Sequence, residues 1–240
     1  MRRCLMAILV VGLFAFAPRD AAAQSDKDVA AWLALQSTPI GALTPIMISP
    51  GTKGDKSFSS FAGRYTHFAP KGGGDGNNVM GASFYRKAGM NAAVSGTAAY
   101  LTCSGCDGMF MVGADVHSTL WNSTRAKGST SATSVNLQGS LGYGSESGMN
   151  ALSFAVGVPL AISIEQASKS RIGMFVTPGF GSGRVSASGA SESGTRPMVG
   201  AGASFTAAAG WGLHASYQKV LISNVSGNSM GLGFSWNLGG

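Results

Sequence analysis

The chain is poor in charged residues. Asp, Glu, Lys and Arg make up 11% of its 240 residues, whereas an ordinary soluble domain contains about 25%. A charge-poor chain of Gly and Ser would be disordered, but 45% of these residues are hydrophobic and many alternate regularly with small or polar ones, as folded strands do. The composition therefore indicates a folded protein in partly non-aqueous surroundings.

Long hydrophobic runs are also absent. The apolar stretch Leu5–Ala17 is shorter than the roughly 18 residues that a transmembrane helix needs, and no other run approaches that length. Two arginines precede this stretch and three alanines follow it, which is the pattern of a signal peptide. We expect a signal peptide over residues 1–23, cleavage near Ala23, and no helical anchor.

Residues that carry redox, metal or catalytic chemistry are scarce. The chain has three Cys and three His, and only Cys103 and Cys106 follow the leader. In an exported protein we expect them to form a disulfide at an outer hairpin or to remain free thiols. A redox motif is not expected, because a hairpin tip has no helix N-terminus to activate a thiol. No catalytic, cofactor or metal site is predicted.

Clusters of basic residues interleaved with aromatics are missing as well. The formal net charge is +7, but the bases are scattered over predicted turns and chain ends. Nucleic acid is therefore not an expected partner. Contact with anionic lipid headgroups accounts for the positive charge more simply.

The chain does contain a strongly alternating pattern. Between Ser134 and Ile162, apolar residues such as Val135, Leu137 and Leu141 alternate with Asn, Gln, Ser and Gly, so they occupy opposite faces of strands. The apolar face carries no charge, and the other face is too small to fill a dry core. A secreted soluble barrel that binds a ligand would show the reverse arrangement. The pattern favours apolar side chains toward lipid and small polar ones toward a lumen.

About ten such windows follow one another, separated by Gly, Ser, Asn and Lys clusters. They predict one closed antiparallel transmembrane β-barrel over residues 57–238, with eight or twelve strands as alternatives. Residues 24–56 are expected to be a separate periplasmic or lumen-plugging segment with a short helix at 28–36. Connection lengths predict tight periplasmic turns at Ala88-Gly89 and Ala209-Gly210 and outer loops that include Ser186–Arg196.

Two groups of residues follow from the alternation. A solvated or hydrogen-bonded polar network is expected on the lumen face, made of Asp115, His117, Asn136, Gln138, His214, Ser216 and Gln218. Aromatic side chains are expected at both lipid interfaces, namely Tyr100, Trp121, Tyr143, Phe180, Trp211 and Trp236. By the alternation, Trp121 falls on the lumen face, so it can join the aromatic residues at the lipid interface only through a β-bulge.

The last window resembles a known group. Ser229–Leu238 alternates apolar and small residues, and so resembles the closing strand of small bacterial outer-membrane β-barrels, the OmpA-like and opacity-type proteins. That strand usually ends in an aromatic residue, whereas this chain ends Leu238-Gly239-Gly240. The resemblance is one of pattern over about Ser57–Leu238. It implies a location in the outer membrane of a diderm bacterium, with lipid and the barrel-assembly machinery as partners.

Three functions remain open at this level. The resemblance implies a structural or surface-interaction role without catalysis, or a narrow pore for small solutes. The third is a lipid or ester hydrolase, because an acid, an imidazole and a hydroxyl are the groups used in acyl transfer. The spacing of His214 and Ser216 resembles the His-x-Ser of outer-membrane lipid A deacylases, although parity turns both side chains inward here.

Overall fold

The fold is described from a computed structural model. The described residues are 59–69, 77–88, 92–102, 108–123, 130–146, 148–187, 189–221 and 228–237. They form eleven strands: β1 Ser59–Ala69, β2 Asn77–Lys87, β3 Ala92–Thr102, β4 Met109–Asn122, β5 Ser131–Glu146, β6 Met149–Gly157, β7 Leu160–Glu165, β8 Arg171–Ala187, β9 Ala190–Thr206, β10 Trp211–Val220 and β11 Asn228–Asn237.

Strands β6 and β7 are two halves of one span. Both pair with β5 on one side and β8 on the other, and the register with each neighbour continues unchanged across the break. The break falls at Pro159, which has no N–H to donate to the ladder. The backbone still continues the pairing, because the N–H of Asn136 donates to the carbonyl of Pro159 at 2.9 Å.

The wall closes on itself. Consecutive spans pair antiparallel, β4 pairs with β5, and β1 pairs with β11. With β6 and β7 counted as one span, the structure is a closed antiparallel ten-strand barrel, which confirms the predicted fold class. The cross-strand registers correspond to a stagger of about 12 residues around the wall and a strand tilt of about 40°.

The two faces of the wall differ as the alternation predicts. On β11, Leu232 is 65% exposed on the outward face, whereas Ser235 is 2% exposed on the lumen face. Large apolar side chains project outward from the other spans too, among them Met80 on β2 and Leu141 on β5. An outward apolar surface of this extent is what lipid-facing strands present, and it does not fit a barrel that is soluble in water.

The barrel has two ends. The near end is where β1 begins and β11 ends, and the far end carries the connections after β1, β3, β5, β8 and β10. The far end is the one for which outer loops are expected.

Among the described residues, no helix is long and apolar enough to cross a bilayer.

The expectation of an outer loop at Ser186–Arg196 is wrong. Strands β8 and β9 pair continuously up to Ala187 and Ala190, so a hairpin occupies this stretch. Gly189 makes the tight turn possible, because its φ of +84° is a conformation that glycine adopts without strain. β10 ends at Val220, opposite Met198, and the hairpin therefore rises beyond the end of β10.

Several expectations concern residues outside the described ranges. These are the signal peptide at 1–23, the segment at 24–56 with its helix at 28–36, and the disulfide between Cys103 and Cys106. They stay predictions.

Candidate functional site in the barrel lumen

Polar side chains project into the lumen from opposite sides of the wall. Asn136, Gln138, His214 and Gln218 are buried, whereas Asp115, His117 and Ser216 are half-buried. Asp115 and His117 on β4 lie beside Ser140 and Gln138 on β5. The group on β10, which contains His214, Ser216 and Gln218, is separated from them along the wall by several strands.

Arg64 interacts electrostatically with residues of both groups. This residue lies on the lumen face of β1 and is 8% exposed, and its guanidinium carbon lies 5.4 Å from the centre of the Tyr85 ring, within the range of a cation–π contact. Arg64 attracts Asp115 and repels positive charge on His117 and His214. The sequence reasoning missed this residue, although a lone arginine in the middle of the first window was the available signal.

Hydrogen bonds link the polar residues to the wall. Ser95 Oγ donates to Asp115 Oδ2 at 2.9 Å, and Thr119 Oγ1 donates to Asn136 Oδ1 at 2.9 Å. Gln138 Nε2 donates to Ser140 Oγ at 3.2 Å. Asp115 Oδ1 and Gln138 Oε1 are buried and have no hydrogen-bond partner among the described residues, and the same holds for both ring nitrogens of His117. The middle of the lumen is therefore a polar environment with unused hydrogen-bonding capacity.

The His214 and Ser216 side chains do not bond to each other. His214 Nε2 lies 2.7 Å from Ser235 Oγ on the neighbouring strand β11, whereas Ser216 Oγ lies beside Gly231. No described carboxylate accepts a hydrogen bond from His214, whereas acyl transfer uses a histidine that a third group orients. The arrangement holds His214 in place without forming a triad.

An apolar cluster lies on the lumen face of the wall at the far end. It consists of Val79, Ala99, Leu101, Met109 and Met111, with Met149 packed against it. We call this cluster the lumen cap. Met111 and Val79 are both 0% exposed, so the cap is closely packed. The sequence reasoning did not find it, because both faces of β4 are apolar at this level and the alternation disappears.

The aromatic residues form two groups on the outward face. At the near end, Phe84, Phe61, Trp236 and Trp211 are cross-strand partners in one row over four adjacent strands. Trp121 is 46% exposed at the same end, and the wall contains a bulge between Thr119 and Trp121. Tyr100 and Tyr143 are exposed toward the far end, whereas Phe180 and Trp211 are half-buried.

Among the described residues, no group of three or more His, Cys, Asp or Glu side chains could hold a metal ion. The fold and the two faces of its wall define a closed antiparallel transmembrane β-barrel with a polar lumen and an apolar cap.

Comparisons with known proteins give structural similarities only. No protein-family model and no curated protein sequence matches the chain. The structure is similar to Ail, the attachment invasion locus protein of Yersinia pestis (14% identity, 76% of this chain and 97% of that chain, TM-score 0.34). It is also similar to the β domain of the Bordetella autotransporter BrkA (12% identity, 76% of this chain and 99% of that chain, TM-score 0.43). A third similar structure is the outer membrane enzyme PagL (14% identity, 75% of this chain and 98% of that chain, TM-score 0.34).

Proposed function

We propose that this protein is an integral outer-membrane barrel of a diderm bacterium with a structural or surface-interaction role and without catalysis. The observation that carries the proposal is the combination of an apolar outward face with a filled interior. Side chains on the lumen face are mostly buried, and the lumen cap occupies the far end. A ten-strand barrel is narrow enough for its own side chains to fill it.

Conductance of the refolded protein in a planar bilayer tests the closed interior. The expected result is no steady single-channel step from protein that shows heat-modifiable gel migration, the sign of a folded barrel. Steady steps from the same preparation would contradict the closed state.

A narrow pore is the second candidate, and the unused polar atoms of the lumen favour it. Asp115, His117 and Gln138 lie deeper than the lumen cap and could solvate a small polar solute or water. If the cap alone closes this path, the double variant Met109→Ser/Met111→Ser should conduct while the wild type does not. If the wild type conducts as well as this variant, the narrow pore would be the better account of the function than the structural or surface-interaction role.

A hydrolase is the third candidate, and the buried contact between His214 and Ser235 is the observation on which it depends. The proposal of a non-enzymatic protein predicts that the wild type does not cleave lipid or ester substrates. Cleavage that disappears in His214→Ala, with the barrel still folded, would overturn that prediction.

The partners in this proposal are outer-membrane lipid and the machinery that inserts barrels. Separation of inner and outer membranes, followed by heat-modifiable migration of each fraction, tests the location. The folded form is expected in the outer-membrane fraction, and its recovery as a water-soluble protein would contradict the assignment.

A further inference from the structure

The lipid-facing surface of the β8–β9 hairpin ends abruptly. On the outward face, Phe180 pairs with Pro197, and the next outward pair toward the far end is Ser182 with Thr195. Thr195 Oγ1 donates to Ser182 Oγ at 3.0 Å. A change from apolar to hydroxyl side chains within two residues marks the level at which acyl chains give way to headgroups.

A continuous polar surface lies on the outward side at and beyond this level. Ser145, Asn150, Ser186 and Ser191 are direct neighbours in one row over β5, β6, β8 and β9. Arg184 and Ser193 pair in the row next to them. We call these six residues the outer polar strip: Ser145, Asn150, Arg184, Ser186, Ser191 and Ser193.

The strip is held together by its own hydrogen bonds. Ser145 Oγ donates to Asn150 Oδ1 at 2.9 Å, and the hydroxyl of Tyr143, lower on the same outward face, donates to the same oxygen at 2.8 Å. Arg184 Nη2 donates to Ser191 Oγ at 3.2 Å. A guanidinium has five N–H donors in a planar fork, so this one bond uses only part of the donor capacity of Arg184, whose side chain is exposed.

Charge is segregated between the two sides of the same sheet. Arg184 is the charged member of the strip, which contains no carboxylate. By the alternation of the strands, Glu146, Glu192 and Arg196 project from the opposite side of the sheet, toward the barrel axis. The outward side therefore presents one cation among hydroxyl and amide groups, which complements an anionic and hydroxyl-rich ligand.

We propose that the outer polar strip binds the phosphorylated sugar headgroup of an outer-leaflet glycolipid, an inference that rests on the outer-membrane location proposed above. The strip continues the lipid-facing surface, so the headgroups of lipids packed against the apolar band lie beside it. The Arg184 guanidinium matches a phosphate, which it can contact with two N–H donors. The serines and Asn150 match sugar hydroxyls.

Binding of fluorescent lipopolysaccharide to the full-length barrel in detergent micelles tests the proposal. The variants are Arg184→Ala and its matched control Arg196→Ala, which removes the same charge from the other side of the same hairpin. Loss of a charge-assisted contact predicts roughly tenfold weaker binding for Arg184→Ala and wild-type affinity for Arg196→Ala. Dephosphorylated lipopolysaccharide should bind the wild type about as weakly as intact lipopolysaccharide binds Arg184→Ala.

The possible failures are distinguishable. Equal affinities for the two variants, or no effect of dephosphorylation, would overturn the headgroup site while leaving the barrel assignment intact. A wild-type protein with no heat-modifiable form in lipid would instead overturn the outer-membrane function on which the site rests.

Discussion

The outward face and the lumen face of the wall are made by the same strands but obey different constraints. On β11, Leu232 and Phe234 project outward, whereas Gly233 between them faces the lumen. A Cβ atom at Gly233 would lie 3.3 Å from Arg64 Cγ, so the missing side chain leaves space for the arginine. The outward face requires apolar bulk without charge, whereas the lumen face requires small residues that accommodate a few large ones.

The lumen also changes in polarity along the barrel axis. The lumen cap is apolar and tightly packed, whereas the middle of the lumen contains Arg64, Asp115 and His117, and Asp115 accepts a hydrogen bond from Ser95 of the wall. The apolar packing and the polar groups therefore lie at different levels of the same interior. Substitutions can test the two faces and the two levels separately.

Met111→Ala should have the largest effect on stability. Met111 is fully buried in the lumen cap, and truncation of such a side chain costs about 2–5 kcal/mol through lost burial and a cavity. Urea unfolding of the barrel in lipid vesicles measures the loss. A cost below about 1 kcal/mol would mean that the cap is loosely packed and cannot seal the lumen.

Leu232→Arg tests the outward face. A charged side chain facing the middle of a bilayer costs about 2–4 kcal/mol, and much less near the interface. The matched control is Ser182→Arg, which places the same charge on the outward face at the polar boundary and should cost less than about 1 kcal/mol. Equal costs for the two variants in vesicle unfolding would mean that Leu232 does not face acyl chains.

Gly179→Val tests the requirement for small residues on the lumen face. A Cβ atom at Gly179 would lie 2.9 Å from the Cα of Gly157 and would also meet the carbonyl oxygen of Val156. Backbone cannot move aside as a flexible side chain can, so we expect a cost of about 1–3 kcal/mol. Gly63→Val is the control, because Gly63 lies on the outward face opposite Phe234 and a Cβ atom there has no neighbour within 4 Å. Similar unfolding midpoints for both variants would contradict the argument.

His214→Ala should have the smallest effect. It removes one hydrogen bond, to Ser235 Oγ, and such a bond contributes about 1 kcal/mol net. The barrel should still show heat-modifiable migration. Complete loss of the folded form would mean that His214 organises the lumen far more than one contact suggests.

The alternation of the sequence predicted the spans because the outward face carries apolar side chains and the lumen face carries mostly small ones. The same reasoning anticipated the bulge beside Trp121, which is exposed on the outward face, because a tryptophan at a lumen-facing position conflicts with the pattern. The upper part of the hairpin escaped prediction, since above the lipid both faces are polar and Ser182–Ala187 resembles a loop in composition.

The sequence pattern did not predict the lumen cap, for the opposite reason. Met109 and Met111 face the lumen while Phe110 and Val112 face outward, so apolar residues occupy both faces and no alternation is visible. The electrostatic interactions of Arg64 with Asp115, His117 and His214 depend on how strands distant in sequence meet across the lumen. No local pattern carries that information.

A fluorophore attached at Leu232→Cys, with Cys103 and Cys106 replaced by alanine, tests the orientation of the wall most directly. In lipid vesicles, nitroxide groups on the acyl chains should quench it strongly, and a water-soluble quencher should leave it nearly unchanged, whereas a label at Ser193→Cys should behave in the opposite way. Quenching of the Leu232 label by the water-soluble agent, with no response to the acyl-chain nitroxides, would contradict the lipid-facing surface on which the account depends.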